Sequence, residues 1–279
     1  MSNNLKYLKE DFYKSVFFEN KFENHIKIVD LDSSNLLSEI FLKKFNSLFN
    51  KNYNIYNINK LHENIEEKYK IYDQTFAVNE ITTLFYDMPE SFINEYHRVL
   101  KLHIRPLIEC DFYFQSTPTL RIQMPHESAK PMYPFYHSDI QLGHPPYETN
   151  LWIPLNYPSE KDGYGFSISP LKESIKIFEK YNFDISKIND EGRKDIPKVL
   201  DPLSELQNFE YGKAVLFDTR CLHSTQIMTN HTRVSIDVRI MPVELYKKFN
   251  HDYQGTGRRK IIFKPGGGYG SISIDNIKL

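Results

Sequence analysis

His137 and Asp139 stand two residues apart in the stretch YHSDIQLG, and their types suit a shared ion through an imidazole nitrogen and a carboxylate oxygen. On a strand, side chains at i and i+2 share a face, so both reach one point while Ser138 turns away. His-x-Asp is common by chance, and alone the pair reads more often as two polar strand residues than as a metal site. A third donor changes the balance. His223 follows the apolar run VLFD in VLFDTRCLHST. Two imidazoles and one carboxylate on one side of an ion make the facial triad of non-haem Fe(II) oxygenases, which leaves positions open for cosubstrate and O2. Ten residues beyond His223 comes Arg233, then Ser235 on the same strand face. A guanidinium grips a carboxylate with two parallel bonds, and a hydroxyl adds another. A dicarboxylic keto acid that chelates iron at one end needs such an anchor at the other.

The elements that must position these groups differ along the chain. The first hundred or so residues look mainly helical. SSNLLSEIFLKKFNSLF places Leu37, Ile40, Phe41, Phe45 and Leu48 at helical spacing, with Ser33 or Ser34 as N-cap. PESFINEYHRVLKLHI repeats the pattern through Phe92, Tyr96, Val99 and His103, with Pro89 suited to the first turn. His97 and His103 read as structural. From about residue 110 short runs rich in apolar, aromatic and β-branched residues take over: TLRIQMP, TNLWIPLN, GYGFSIS, KAVLFDT, CLHSTQIM and TRVSIDVRIMP. That rhythm predicts a β-sandwich or barrel core. A segment over about 169–200, with one helix-like stretch and a polar loop, interrupts it and suits a lid or a pocket wall. The expected organisation is a single unit over 1–279, with a helical part over 1–109, a β-core over 110–242 and a tail over 243–279.

Composition narrows the function classes. Of 279 residues 40% are hydrophobic and 25% charged, which suits a soluble globular chain. Lys and Arg total 35 against 36 Asp and Glu, so no global field recruits nucleic acid or an acidic membrane. RRKIIFK near the end carries too few charges to argue otherwise, and KPGGGYG lacks the Lys-Ser/Thr ending of a phosphate loop. Two cysteines, Cys110 and Cys221, make no disulfide framework. With no apolar leader and no membrane-length run, the expected setting is cytoplasmic.

The chain resembles the Fe(II)/2-oxoglutarate-dependent oxygenases, in the branch that contains phytanoyl-CoA hydroxylase, ectoine hydroxylase and a streptomycin-biosynthesis protein. HSD at 137–139, NLWIPL at 150–155, GKAVLFDTRCLHST at 212–225 and TRVSIDVR at 232–239 carry the resemblance, over roughly residues 110–242. It implies a mainly β fold with helical attachments: a double-stranded β-helix (a cupin-like jelly-roll) with N-terminal helices packed on one sheet. It implies Fe(II) on His137, Asp139 and His223, with the far carboxylate of 2-oxoglutarate on Arg233 and Ser235. It adds Thr225, Asn150, Trp152 and Gln123 as residues beside the cosubstrate. One departure is that SPLKES stands where many relatives carry a PGSH-like turn, which puts substrate contacts in doubt.

The activity so implied is hydroxylation, or another oxidation, of a C–H bond, with O2 as co-reactant. Asp139 argues against halogenation, in which relatives replace this carboxylate by a small residue. Arg233, Ser235, Asp237 and Arg239 alternate on one strand face, so a polar small metabolite is expected, such as a sugar, an amino acid or a natural-product intermediate. Arg239 is either a buried partner of Asp237 or a substrate contact. Arg121 has the same two readings, and His144 is a further candidate substrate contact. Two other functions compete: a cupin-type metal enzyme that does not use 2-oxoglutarate, and a non-catalytic jelly-roll that binds a ligand.

Overall fold

Apolar and polar residues alternate along RVSIDVRI, and the computed structural model puts this stretch inside its largest sheet, paired on both sides. The structure describes residues 3–32, 34–73, 78–85, 87–125, 136–161, 163–204, 208–225, 230–249 and 274–277. Ser33, the basic run RRKIIFK and the glycines of KPGGGYG lie outside the described residues. In chain order the strands are β1 (Ile26–Asp30), β2 (Tyr72–Asp73), β3 (Val78–Asn79), β4 (Phe112–Phe114), β5 (Thr119–Gln123), β6 (Thr149–Pro154), β7 (Phe166–Ile168), β8 (Lys213–Asp218), β9 (His223–Thr225) and β10 (Arg233–Pro242). The helices are α1 (Asn3–Lys14), α2 (Phe17–Lys21), α3 (Ser34–Phe49), α4 (Glu80–Thr83), α5 (Glu90–Val99), α6 (Arg105–Ile108), α7 (Leu171–Lys180), α8 (Ile185–Asp190), α9 (Gly192–Leu200) and α10 (Val243–Phe249).

The main sheet is antiparallel, in the order β1-β8-β6-β10, with β4 and β5 sharing the far edge of β10. Its two faces follow from the period of two. Leu120 and Ile122, Leu151 and Ile153, Ala214 and Leu216, and Val234, Ile236, Val238 and Ile240 turn to one side. There they join Leu37, Phe41 and Phe45 of α3 and Phe92, Tyr96 and Val99 of α5 in one core. Each large side chain so buried contributes about 1.5–3 kcal/mol. The other face carries Trp152, Val215 and Phe217, which pack against Tyr164, Phe166 and Ile168 at the small β7-β9 sheet. Trp152 stacks on Phe166 at 5.2 Å, so the two sheets face one another across aromatic rings. The polar members of β10, Arg233, Ser235, Asp237 and Arg239, share this inner face.

Two expectations need correction, and one gains a detail. The first hundred residues are mainly helical but also carry a strand of the main sheet: β1 pairs with β8 over five residues. It is a short edge strand with one buried residue, Val29, so its period-two signal is faint. The segment over 169–200 is three helices, not one helix and a polar loop. The six-residue α8 and the Pro197-containing α9 are too short to stand alone, and packing of Ile185, Ile188, Ile196 and Leu200 stabilises them. The helix starting after Pro89 does not run smoothly onward. Pro106 has no N–H and crowds the preceding turn, and the backbone widens into a π-helical turn at Leu100–Ile104 before α6. Among the described residues no helix is long and apolar enough to cross a membrane.

Candidate metal centre

His137 and His223 are held side by side by backbone pairing. The His137 N–H donates to the His223 carbonyl at 2.9 Å and the His223 N–H donates back at 2.8 Å. Residues exchanging both bonds in an antiparallel bridge point their side chains the same way, and the two rings lie 4.4 Å apart, centre to centre. His223 lies between Phe166 and Phe217, whose rings meet it edge-on. Its Nδ1–H donates to the Cys221 carbonyl at 3.2 Å, which leaves Nε2 with a free lone pair. Burial pushes the imidazole below its usual pKa, against the pull of Asp139, so the ring is neutral and able to ligate near pH 7.

Asp139 reaches the same point by a different route from the one expected. It is not a strand residue but the first residue of a short 3-10 turn, Asp139–Leu142. The Ser138 N–H donates to Gln141 Oε1 at 2.7 Å, which satisfies a backbone donor as the turn begins. Gly143 closes it at φ 102°, a conformation that favours glycine, and the His144 N–H then donates to the Asp139 carbonyl at 3.2 Å. Ligand atoms of His137, Asp139 and His223 all lie within 4.8 Å of one another, a group that could hold a metal ion. A metal bonds such donors at roughly 2.0–2.2 Å, and side-chain rotation would draw them in.

The two oxygens of Asp139 have different surroundings. Oδ2 accepts from Arg239 Nε at 2.8 Å, with Arg239 Nη2 also at 2.8 Å. Oδ1 lies 3.9 Å from His223 Nε2 and, though buried, meets no hydrogen-bond donor among the described residues. Burial opposes the charge, but Arg239, followed by His144, His223 and His137, outweighs it and holds the carboxyl well below the usual carboxylate range. An ionised buried oxygen without a donor, facing two imidazoles, is the chemistry of a cation ligand.

The inner face beyond the triad contains further polar atoms without protein partners. Both polar atoms of Asn150, Trp152 Nε1, Ser235 Oγ, Tyr164 OH and Gln123 Oε1 are buried and meet no partner among the described residues. Each such atom costs about 1–3 kcal/mol unless a polar ligand satisfies it. Cross-strand register sets Asn150 opposite Arg239, Trp152 opposite Asp237 and Gln123 opposite Arg233. Arg233 is 3% exposed and donates from Nη1 to the Tyr164 carbonyl at 2.9 Å, its guanidinium carbon 6.0 Å from the Trp152 ring. Thr225, half-buried, ends β9 opposite Phe166.

Ion pairing on this face departs from the sequence reading. Arg239 pairs with Asp139, while Asp237 accepts from Arg121 Nε at 2.9 Å. The i+2 spacing of Asp237 and Arg239 put them on one face, but a cross-strand neighbour lies closer to Asp237. His144, a candidate substrate contact, is 1% exposed and donates from Nδ1 to Glu148 at 2.8 Å. Sequence reasoning passed over Gln141, Glu148 and Tyr164. Ser138-x-x-Gln141 is a capping signal that could have revealed the turn; nothing in the sequence marks the other two.

No protein-family model matches the chain, and no curated protein matches it in sequence. Similar solved structures include EctD from S. alaskensis with 2-oxoglutarate and 5-hydroxyectoine, at 13% identity, 89% of this chain, 81% of that one and a TM-score of 0.49. The non-heme alpha ketoglutarate dependent epimerase SnoN from nogalamycin biosynthesis shows 12% identity over 84% of each chain, TM-score 0.48. The carbocyclase SnoK from the same biosynthesis shows 15% identity over 84% of each, TM-score 0.41.

Proposed function

We propose that this chain is a mononuclear non-haem Fe(II)/2-oxoglutarate-dependent oxygenase with a jelly-roll core, acting on a C–H bond of a small polar metabolite. The observation that carries the reading is the convergence of two bridged imidazoles and the donor-free Oδ1 of Asp139. Arg233 lies on the same inner face, beside a row of buried polar atoms. Two imidazoles and a carboxylate leave half of an octahedral shell for exogenous ligands. In this reading Arg233, with Ser235, binds the far carboxylate of 2-oxoglutarate. Asn150, Trp152 and Gln123 supply hydrogen bonds along its length, and Thr225 adds a hydroxyl. The aromatic wall of Trp152, Tyr164, Phe166 and Phe217 excludes water from that half of the site. The ion and keto acid, when bound, would supply the oxidising chemistry, in which O2 takes four electrons: two as 2-oxoglutarate becomes succinate and CO2, with one oxygen atom entering succinate, and two from the substrate C–H bond.

The opposite half of the face receives the substrate. The Arg121–Asp237 pair at β5 is 19% and 25% exposed, whereas Asn150 and Trp152 are buried. The pair is partly open to solvent, so its remaining donors and acceptor can serve a substrate's hydroxyl, amino or carboxylate groups. Anaerobic titration of the Fe(II)-loaded protein with 2-oxoglutarate tests the reading. Visible metal-to-ligand absorption that saturates, and succinate formed on admitting O2, are expected. Iron bound without that absorption would favour a metal enzyme of the same core that does not use 2-oxoglutarate.

A further inference from the structure

We infer that Arg239 is a positioning residue that makes Asp139 a one-oxygen ligand. This rests on the metal centre proposed above. Two nitrogens of one guanidinium sit 2.8 Å from Oδ2, and Oδ1 meets no hydrogen-bond donor among the described residues. The guanidinium therefore takes the lone pairs of one oxygen and leaves the other facing the imidazoles. For both oxygens to chelate an ion, Oδ2 would have to give up charge-assisted bonds, which are about twice as strong as neutral ones.

The location of Arg239 suits the role. It stands on the interior strand β10, opposite Asn150 of β6, and its side chain is 12% exposed. A strand held on both sides is a rigid base for an orienting group. Asp139, by contrast, sits on a 3-10 turn, where nothing in the backbone fixes the carboxylate rotation. Asp237, the other acid on the inner face of β10, is engaged by Arg121 and does not compete for Arg239.

The consequence is a count of coordination positions. Three protein donors, each through one atom, leave three positions of an octahedral ion; a chelating carboxylate leaves two. A keto acid takes two by itself. The arginine thus preserves the position that a third exogenous ligand needs. This also gives Arg239 a purpose distinct from the anchor role of Arg233, six residues earlier on the same strand.

The test uses Co(II) as probe, in the parent, Arg239→Gln, Arg239→Lys and Asp139→Ala. Affinity is read by chelator competition and coordination by the visible d–d spectrum, with circular dichroism to show each variant is folded. Arg239→Gln should bind Co(II) about 10–100-fold more weakly and with a changed d–d band shape, because the carboxylate is free to chelate. Arg239→Lys, which keeps the charge but not the two-nitrogen grip, should recover part of the affinity, and it serves alone if the Gln variant does not fold. Parent affinity with a parent spectrum in Arg239→Gln, or weaker binding with an unchanged spectrum, overturns the inference while leaving the metal centre standing. A parent that binds Co(II) no better than Asp139→Ala overturns the centre, and the inference with it.

Discussion

Asp139 shows how one side chain serves two neighbours. One oxygen accepts from Arg239 and the other is left bare beside His223. Removing the carboxylate deletes the anionic donor of the proposed centre and takes from Arg239 the oxygen that both Nε and Nη2 approach. Asp139→Ala should therefore abolish turnover and weaken Fe(II) binding, measured by succinate release and by metal titration. Arg233 sits away from the triad, against Trp152 and the Tyr164 carbonyl. Arg233→Ala should raise the 2-oxoglutarate requirement roughly 10–100-fold, the equivalent of losing a charged hydrogen-bond pair of about 1.5–3 kcal/mol, with metal affinity unchanged. Equal 2-oxoglutarate affinity in Arg233→Ala and the parent would remove it as the anchor.

At the scale of elements, the turn carrying Asp139 is supported from outside the sheets. Gln141 bonds back to Ser138 and forward to Asn189 of α8 at 2.7 Å. Ile140 and Tyr136 pack with Ile177, Phe178 and Ile188 of the three-helix insertion. The insertion is thus a buttress behind the ligand turn. Gly143 is the hinge of that turn, and a side chain at φ 102° is strained. Gly143→Ala should cost about 1–2 kcal/mol, seen as a lower Tm, and should weaken metal binding by shifting Asp139. A second lock lies at the end of β8. Arg220 binds both oxygens of Asp218 at 2.9 and 2.6 Å, reaches Glu19 of α2 at 2.6 Å and donates to the Phe12 carbonyl of α1. This ties the N-terminal helices to the loop that leads into His223. Arg220→Ala strands a buried carboxylate and should destabilise the fold by about 3–5 kcal/mol in urea unfolding.

Across the whole molecule, the inner face is graded from closed to open. On the β6–β8 side aromatic rings seal it, and on the β5 side Arg121 and Asp237 remain within reach of solvent. The function proposed above puts the keto acid in the first half and the substrate in the second. An ion bound by the folded chain alone stabilises it by about 2.7 kcal/mol at a hundredfold excess over Kd. For a chain of this size that is roughly 5–10 °C in Tm. Thermal unfolding with and without Fe(II) under anaerobic conditions should show that shift in the parent and not in Asp139→Ala.

The sequence by itself singled out the residues that the structure brings together as a group able to hold a metal ion. The types and spacing of His137, Asp139, His223, Arg233 and Ser235 were legible, as were the period-two runs that place His223, Arg233 and Ser235 on strands, because strand alternation is local; the turn that carries Asp139 was not. So was the split between a helical beginning and a β-rich remainder. What the sequence left undecided depends on contacts between distant segments. The addition of β1 to β8, the packing that makes α8 and α9 helices, and the placement of the insertion behind Ile140 all rest on non-local burial. The partners of the inner charges are the sharpest case. Spacing along β10 allowed Asp237 to take Arg239, and only cross-strand register and the turn at Asp139 gave Arg121 to Asp237 and Arg239 to Asp139. Salt bridges form by proximity in space, and proximity across strands is set by register, which no single strand encodes.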